Sequence, residues 1–445
     1  MTNSHLLPGP GLGAPSERRR LTCWLGAASL FSAPALLFLP NGFSVFGLLL
    51  VVATLALPRS IAGAWRQHRT PLALLALLAA AVLALTMTSM HWAGQGWTTI
   101  DNPSRFLLLP WCALIAVAMA PSRFWLWIGA IAGITTAFCF AVWEISTGTD
   151  RAGGVSNPIV FANAVLALLA IVIYCRPSGR RAEVLYAVVG ASLLALVAIV
   201  LSGSRGVLPG LALLLLVASA GSGRERRWLR LGLPLGFIGL LLVLLVTVPE
   251  LAALTRLRDI PANLADYTRG VVDTSVGTRL EFLAMSVQAL VEHPWTGVGI
   301  DRFHTLVARM PECSGKEAQI CTLGHAHNDI AQWSATMGLG GLAAVLALYA
   351  VPSLIFARLI RSGRGQRLTG AAWAGAMVVL MVFISGLTQS VFSHALTTTL
   401  YAVLAGLLLG VALVEAGDRT PEPAAADGAP SQSETQGQAD NQRPG

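Results

Sequence analysis

Lysine is almost missing from this chain: Lys316 is the only one among 30 cationic side chains, and the rest are arginines. No Gly-rich phosphate loop ending in Lys-Ser/Thr is therefore present, and nucleotide use through such a loop is excluded. Charge of either sign is scarce. Asp, Glu, Lys and Arg make up 12% of the 445 residues, where a soluble globule carries about a quarter. The strict apolar–polar alternation of a membrane β-barrel is also missing. What the chain has instead is apolar residue, 55% of the total with a mean hydropathy of +0.66.

Runs of about 20 apolar residues, long enough to cross a bilayer, recur along the chain. They predict an all-α polytopic membrane bundle of twelve spans, near 22–39, 42–57, 71–90, 105–120, 123–145, 158–174, 184–202, 206–221, 228–248, 327–357, 369–392 and 395–415. Arginine placement supports that order. With the N-terminus inside, eighteen arginines fall in inside loops, and only Arg105, Arg151 and Arg205 fall in short outside loops. Such a bias is the positive-inside pattern. The net charge of +8 then reports topology and anionic lipid, not nucleic acid. Both termini are expected in the cytoplasm of a bacterial inner-membrane protein. The first apolar run lacks a cleavage site and reads as a retained anchor.

The expected organisation is a disordered start (1–20), spans one to nine (21–248), an external loop domain (249–326), spans ten to twelve (327–417) and a disordered tail (418–445). Within the loop, Arg279 to Val291 has helical periodicity, with apolar positions 280, 283, 287, 290 and 291 on one face. Pro294 and Gly297 stop it, and the helix is expected to lie across the bundle mouth as a lid. Cys313 and Cys321, separated by seven residues in that loop, are expected to form a disulfide in an oxidising compartment. Cys23, Cys112, Cys139 and Cys175 lie in or beside spans and read as packing residues.

Polar side chains on the expected outer face narrow the search for chemistry. Arg205 stands in Ser202-Gly203-Ser204-Arg205-Gly206, a tight turn between two spans, and offers a planar fork of donors suited to phosphate. Interfacial anchoring is the competing reading. Arg279 opens the loop helix, where free amides and the positive dipole end reinforce anion binding, although an ordinary solvated arginine also fits. His325 and His327 precede the tenth span, within Gly324-His325-Ala326-His327-Asn328-Asp329. An imidazole there suits the role of proton acceptor for a hydroxyl nucleophile. A neighbour from another segment is expected to hold the ring, because i and i+2 point apart on a helix. Capping or core satisfaction is the plainer alternative. Metal binding by His-x-His lacks an accompanying carboxylate pair. His394, Gln389 and Arg151 belong to the same face.

His327-Asn328, nine residues, Gly338, two residues, Gly341 resembles the pattern that ends the large external loop of the O-antigen ligase family. That family belongs to a superfamily of GT-C-like membrane glycosyltransferases. Ser202 to Gly206 is similar to the family's Ser-Arg-Gly turn. Arg279 through Pro294-Trp295-Thr296-Gly297-Val298-Gly299 to Phe303 resembles its Arg, helix, Pro-x-x-Gly-x-Gly, Phe run, and Gly154 to Pro158 is a weaker match to a Gly/Asn-Pro turn. The resemblance implies transfer of a glycan from undecaprenyl diphosphate to a lipid A–core sugar hydroxyl at the periplasmic face, with no metal, cofactor or nucleotide. It implies that Arg205 and Arg279 hold the diphosphate and that His327 is the base; His325, Asn328 and Arg151, on the same outer face, are expected to assist substrate binding. Two relatives of that reaction remain open, O-antigen polymerisation and protein O-glycosylation. A transporter is the alternative of another class, and would place charge at mid-bilayer depth.

Overall fold

The computed structural model describes residues 17–154, 156–177, 181–220, 259–313, 318–363 and 369–417, with a few positions between 239 and 249. Among them there is no strand. The helices are α1 (Glu17–Ala35), α2 (Gly42–Ala56), α3 (Pro58–Gln67), α4 (Arg69–Trp92), α5 (Leu108–Met119), α6 (Phe124–Ser146), α7 (Pro158–Tyr174), α8 (Arg181–Leu201) and α9 (Leu208–Ala220). They continue with α10 (Asp259–Thr268), α11 (Gly277–Glu292), α12 (Asp329–Ser362), α13 (Gly370–Gly386) and α14 (Ala395–Gly417).

Among the described residues six helices are long and apolar enough to cross a membrane, or up to seven if the bent pair α2–α3 is one span. Three shorter apolar helices join them. Most of the ninth expected span, residues 1–16, the tail from 418 and Lys316 lie outside the described residues, as do Arg180, Arg224, Arg226, Arg227, Arg230, Arg364 and Arg367; residues 17–20, expected to be disordered, instead open α1. The expected second span stops at Ala56, and α3 leaves it at 89°. Pro58 explains the bend, because it has no N–H to donate and bars Leu57 from helical geometry.

Helix α14 is the centre of the bundle and is almost wholly buried. It can approach α5 because Gly406 and Gly410 carry no Cβ; one added there would come within 2.5 Å of the Leu109 and Ala113 carbonyl oxygens. Small residues at such contacts are how helices pack where lipid removes the hydrophobic drive between them. Outward, α8 presents Leu185, Tyr186, Val189, Leu193 and Val197. Cys112 and Cys175 are packed inside, whereas Cys23 and Cys139 are exposed on the apolar outer surface. Cys313 and Cys321 are bonded to each other, with Cα atoms 5.6 Å apart.

The loop helix α11 forms as its periodicity predicts, and the structure adds which face is covered. Its buried positions are Thr278, Phe282, Ser286 and Ala289, while Leu283, Val287 and Val291 are exposed. Leu283, Val287 and Val291 face out, Leu280 and Leu290 are half-buried, and the stripe of Thr278, Phe282, Ser286 and Ala289 packs on α12. A water-based rule puts the greasy face inward; beside a bilayer the outside is itself apolar.

Candidate active site

The start of α12 sets the site. Asn328 is its N-cap, with Oδ1 accepting from the Ala331 amide at 3.0 Å and Nδ2 donating to the Leu387 carbonyl at 3.0 Å. Both ends of this amide are thus used in building the turn. The preceding His327 takes φ 52°, a left-handed value that costs a non-glycine residue about 1–2 kcal/mol. Its neighbours hold it there. The Ala326 amide donates to Gln332 Oε1 at 2.7 Å, and the Asn328 amide donates to Ser390 Oγ at 3.1 Å. Strain of this kind persists only where surroundings over-determine it, and here it aims one imidazole.

That imidazole heads a chain of polar contacts. His327 Nδ1 donates to Gln389 Oε1 at 2.5 Å, and Gln389 Nε2 donates to His394 Nε2 at 2.9 Å. Gln389 is buried, so its amide fixes the His327 tautomer: the proton sits on Nδ1, and Nε2 keeps a lone pair. Phe282 stacks on the ring at 6.3 Å between centroids, and His325 meets it edge-on at 4.3 Å. Burial is the main force lowering the His327 pKa from its ordinary 6.5; the Gln389 bond raises it, and the charges of Arg279 and His394 lower it. Burial likewise takes His325 down to about 3, and its Nδ1 is buried with no hydrogen-bond partner among the described residues. All three imidazoles are therefore held neutral at pH 7.

Facing this chain are two guanidiniums. Ser275 Oγ accepts from Arg205 Nη2 at 2.7 Å and from Arg279 Nη1 at 2.8 Å. Arg279 also donates to the Ser275 carbonyl at 2.5 Å and, through Nε, to the Thr388 carbonyl at 3.2 Å. Burial first, then the charge of Arg205, lowers the Arg279 pKa. Two like charges meeting on one hydroxyl form a cluster that an anion relieves. Arg151 acts behind Arg205: its Nε donates to the Ser202 carbonyl at 2.9 Å, and Nη2 reaches the Gly203 carbonyl and Ser204 Oγ at 3.4 Å. It staples the turn that presents Arg205.

The spacing from His327 to Gly338 now has a physical account. α12 is broken at Met337 (φ −132°, ψ 15°) and Gly338 (φ 63°, ψ −150°), a conformation that only glycine reaches at low cost. The loop 294–299 fills the break. Pro294 O accepts from the Leu339 amide at 2.7 Å, while the Val298 and Gly299 amides donate to Ala335 and Thr336 carbonyls at 2.9 Å. A Cβ on Gly297 would lie 2.3 Å from the Thr336 carbonyl carbon. Thus Pro-x-x-Gly-x-Gly and the His-Asn…Gly pattern are two halves of one joint.

Sequence reasoning named Gln389 without a role and extended its helix to 392, whereas α13 ends at Gly386. It missed Ser275, and it named Asp329 only within the His-Asn-Asp run, without the partners that the fold gives it. The Asp329 carboxylate is fully buried, accepting from Tyr349 Oη at 2.6 Å and the Phe392 amide at 3.0 Å. It ties the 387–394 segment to α12. No group of three His, Cys, Asp or Glu among the described residues is placed to hold a metal ion.

The described residues thus form a helical membrane bundle with a cationic pair facing a chain of imidazoles, and the family match below implies a glycosyltransferase-like membrane enzyme. The O-antigen ligase family model matches residues 190–346, the stretch that carries Arg205, Arg279 and His327, and this match supports membership of that family. Membership implies lipid-linked glycan substrates. No curated protein matches the chain.

Proposed function

We propose that this protein is an O-antigen ligase of the bacterial inner membrane, transferring a glycan from undecaprenyl diphosphate to a sugar hydroxyl of lipid A–core at the periplasmic face, with both termini cytoplasmic. The observation that carries the reading is the opposition of Arg205 and Arg279, joined at Ser275, to a His327 whose tautomer is set by Gln389. The acceptor hydroxyl oxygen attacks the anomeric carbon, and its proton passes to His327 Nε2. The bond from that carbon to the diphosphate oxygen breaks on the far side, so the configuration inverts. The electron pair leaves on undecaprenyl diphosphate, where the guanidiniums stabilise the charge that develops. His327 then returns its proton to solvent. His325, pressed edge-on against His327 and held neutral, contributes shape to the pocket without adding charge.

The test is transfer in vitro by purified protein, with a polyprenyl-diphosphate glycan as donor and either lipid A–core or a second lipid-linked glycan as acceptor. Transfer to lipid A–core is expected, and His327→Ala should reduce it by about 10³-fold, within the range for a general base. Exclusive use of the second glycan would make the protein a polymerase instead. Undiminished transfer by His327→Ala would remove the histidine from the chemistry.

A further inference from the structure

A cavity of about 240 Å³ lies across the first turns of α12, lined by Thr98, Thr99, Asn102, Asp301, Gln332 and Ser393. It opens at the same end of the bundle as the site already described, because Ser393 directly precedes His394, the last member of the imidazole chain. Its polar groups are notably uncommitted. Asn102 gives its NH2 to the Phe392 carbonyl at 2.7 Å, yet its Oδ1 is buried with no partner among the described residues. Gln332 uses Oε1 on the Ala326 amide, which leaves its NH2. A buried amide oxygen without a partner costs about 1–3 kcal/mol, so a hydroxyl donor arriving there is favoured.

Charge separates this cavity from the arginine pair. No Arg, Lys or His lines it, and its one ionisable group is the carboxylate of Asp301. A phosphate is therefore disfavoured, whereas a neutral polyhydroxylated ring is matched by hydroxyls, amides and one carboxylate, all able to pair with sugar OH groups. Trp333 and Phe392 supply the apolar wall that a sugar's C–H face requires. The floor is the helix break itself, since Thr336 and Met337 also border the cavity.

We infer that this cavity is the subsite for a neutral sugar of the acceptor saccharide, seated on the opposite side of the α12 start from the arginines that face the diphosphate. The inference rests on the proposed transferase reading. It deepens that reading by giving donor and acceptor separate sides of one helix, with the 392–394 segment between them. Asn102 and Asp329, which grip the carbonyl and amide of Phe392 respectively, hold that segment in place.

Binding is measured by saturation-transfer NMR with the full-length protein in nanodiscs, using delipidated core oligosaccharide in one arm and free O-antigen polysaccharide in the other. Wild type should bind the core oligosaccharide, and Thr98→Val/Thr99→Val, which removes two hydroxyls at constant shape, should weaken it about tenfold. If the double variant misfolds, Ser393→Ala serves, with a weakening of about threefold. Unchanged core affinity in the folded variant, no core binding by wild type, or loss confined to the O-antigen arm would each overturn the inference. A parallel transfer assay separates the two readings. Cavity-dependent core binding without transfer to lipid A–core overturns the ligase reading alone, whereas transfer with unaltered core binding overturns the subsite alone.

Discussion

Two sets of arginines mark the two ends of this bundle, and their partners differ in kind. At one end Arg123 donates to Glu415 at 2.8 Å, both side chains largely covered, so the charge is cancelled within the fold. At the other, Arg279 is held by a serine and a backbone carbonyl, neutral acceptors that orient a guanidinium and leave its charge in place. Arg205 leans on the same serine. A cation neutralised by the fold serves stability; one oriented by neutral groups, as Arg279 is, keeps its charge, which the proposed function assigns to binding a diphosphate. The positive-inside count places Arg123 inside and Arg205 outside, and the difference in partners says what each placement does.

The strongest way to break the comparison is to keep charge and change shape. Arg205→Lys and Arg279→Lys should each lower transfer about a hundredfold in a folded protein, because an ammonium cannot reproduce the planar fork. Wild-type turnover by either would reduce it to an anchor. Next in size is Gln389→Leu, expected to cut transfer about tenfold by freeing the His327 tautomer. Since the Gln389 bond raises the His327 pKa, its loss should also move the acid limb of the rate profile to lower pH. In wild type that limb should already lie below pH 6.5, because burial keeps His327 neutral until the pH falls through its lowered pKa. A limb at or above 6.5 would contradict the buried, arginine-flanked imidazole. Smallest for chemistry is Arg123→Gln: the melting temperature should fall by several degrees, while transfer per folded molecule stays within twofold. A selective loss of transfer there would erase the distinction between the two ends.

Acid should weaken the fold from the same source. His325 is neutral when folded down to about pH 3 but takes up a proton near 6.5 when unfolded. Its lowered pKa therefore costs stability progressively as pH drops from 6.5 towards 3. A melting temperature that rises between pH 7 and pH 5 would contradict that burial.

Much of this was readable in the sequence, for reasons that differ by residue. The all-helical membrane class follows from apolar length, though not the count of twelve spans, and Pro58 and Pro294 mark where helices end. The His327-Asn328…Gly338 pattern was legible only as a motif; the cap at Asn328 and the break at Gly338 came from the structure, since the tenth span was read as continuous over 327–357. Which face of α11 is exposed was not legible, because periodicity shows which residues share a side but not whether that side meets protein or an apolar surround. Gln389 was hidden for another reason: it lies at the end of an apolar run that reads as one span to 392, and only the tertiary fold brings it to His327. Ser275 and the Asp329–Tyr349 bond are long-range meetings that no spacing encodes.

The break in α12 also constrains what can be exchanged between proteins of this family. Three backbone hydrogen bonds cross from the 294–299 segment into residues 335–339, so part of the span's own ladder is completed by the loop. Loop and span are thus a single cassette. A graft that moves residues 277–299 without residues 327–341 should leave unpaired amides inside an apolar layer and fail to accumulate, whereas a graft that moves both should carry its catalytic geometry intact into a new bundle.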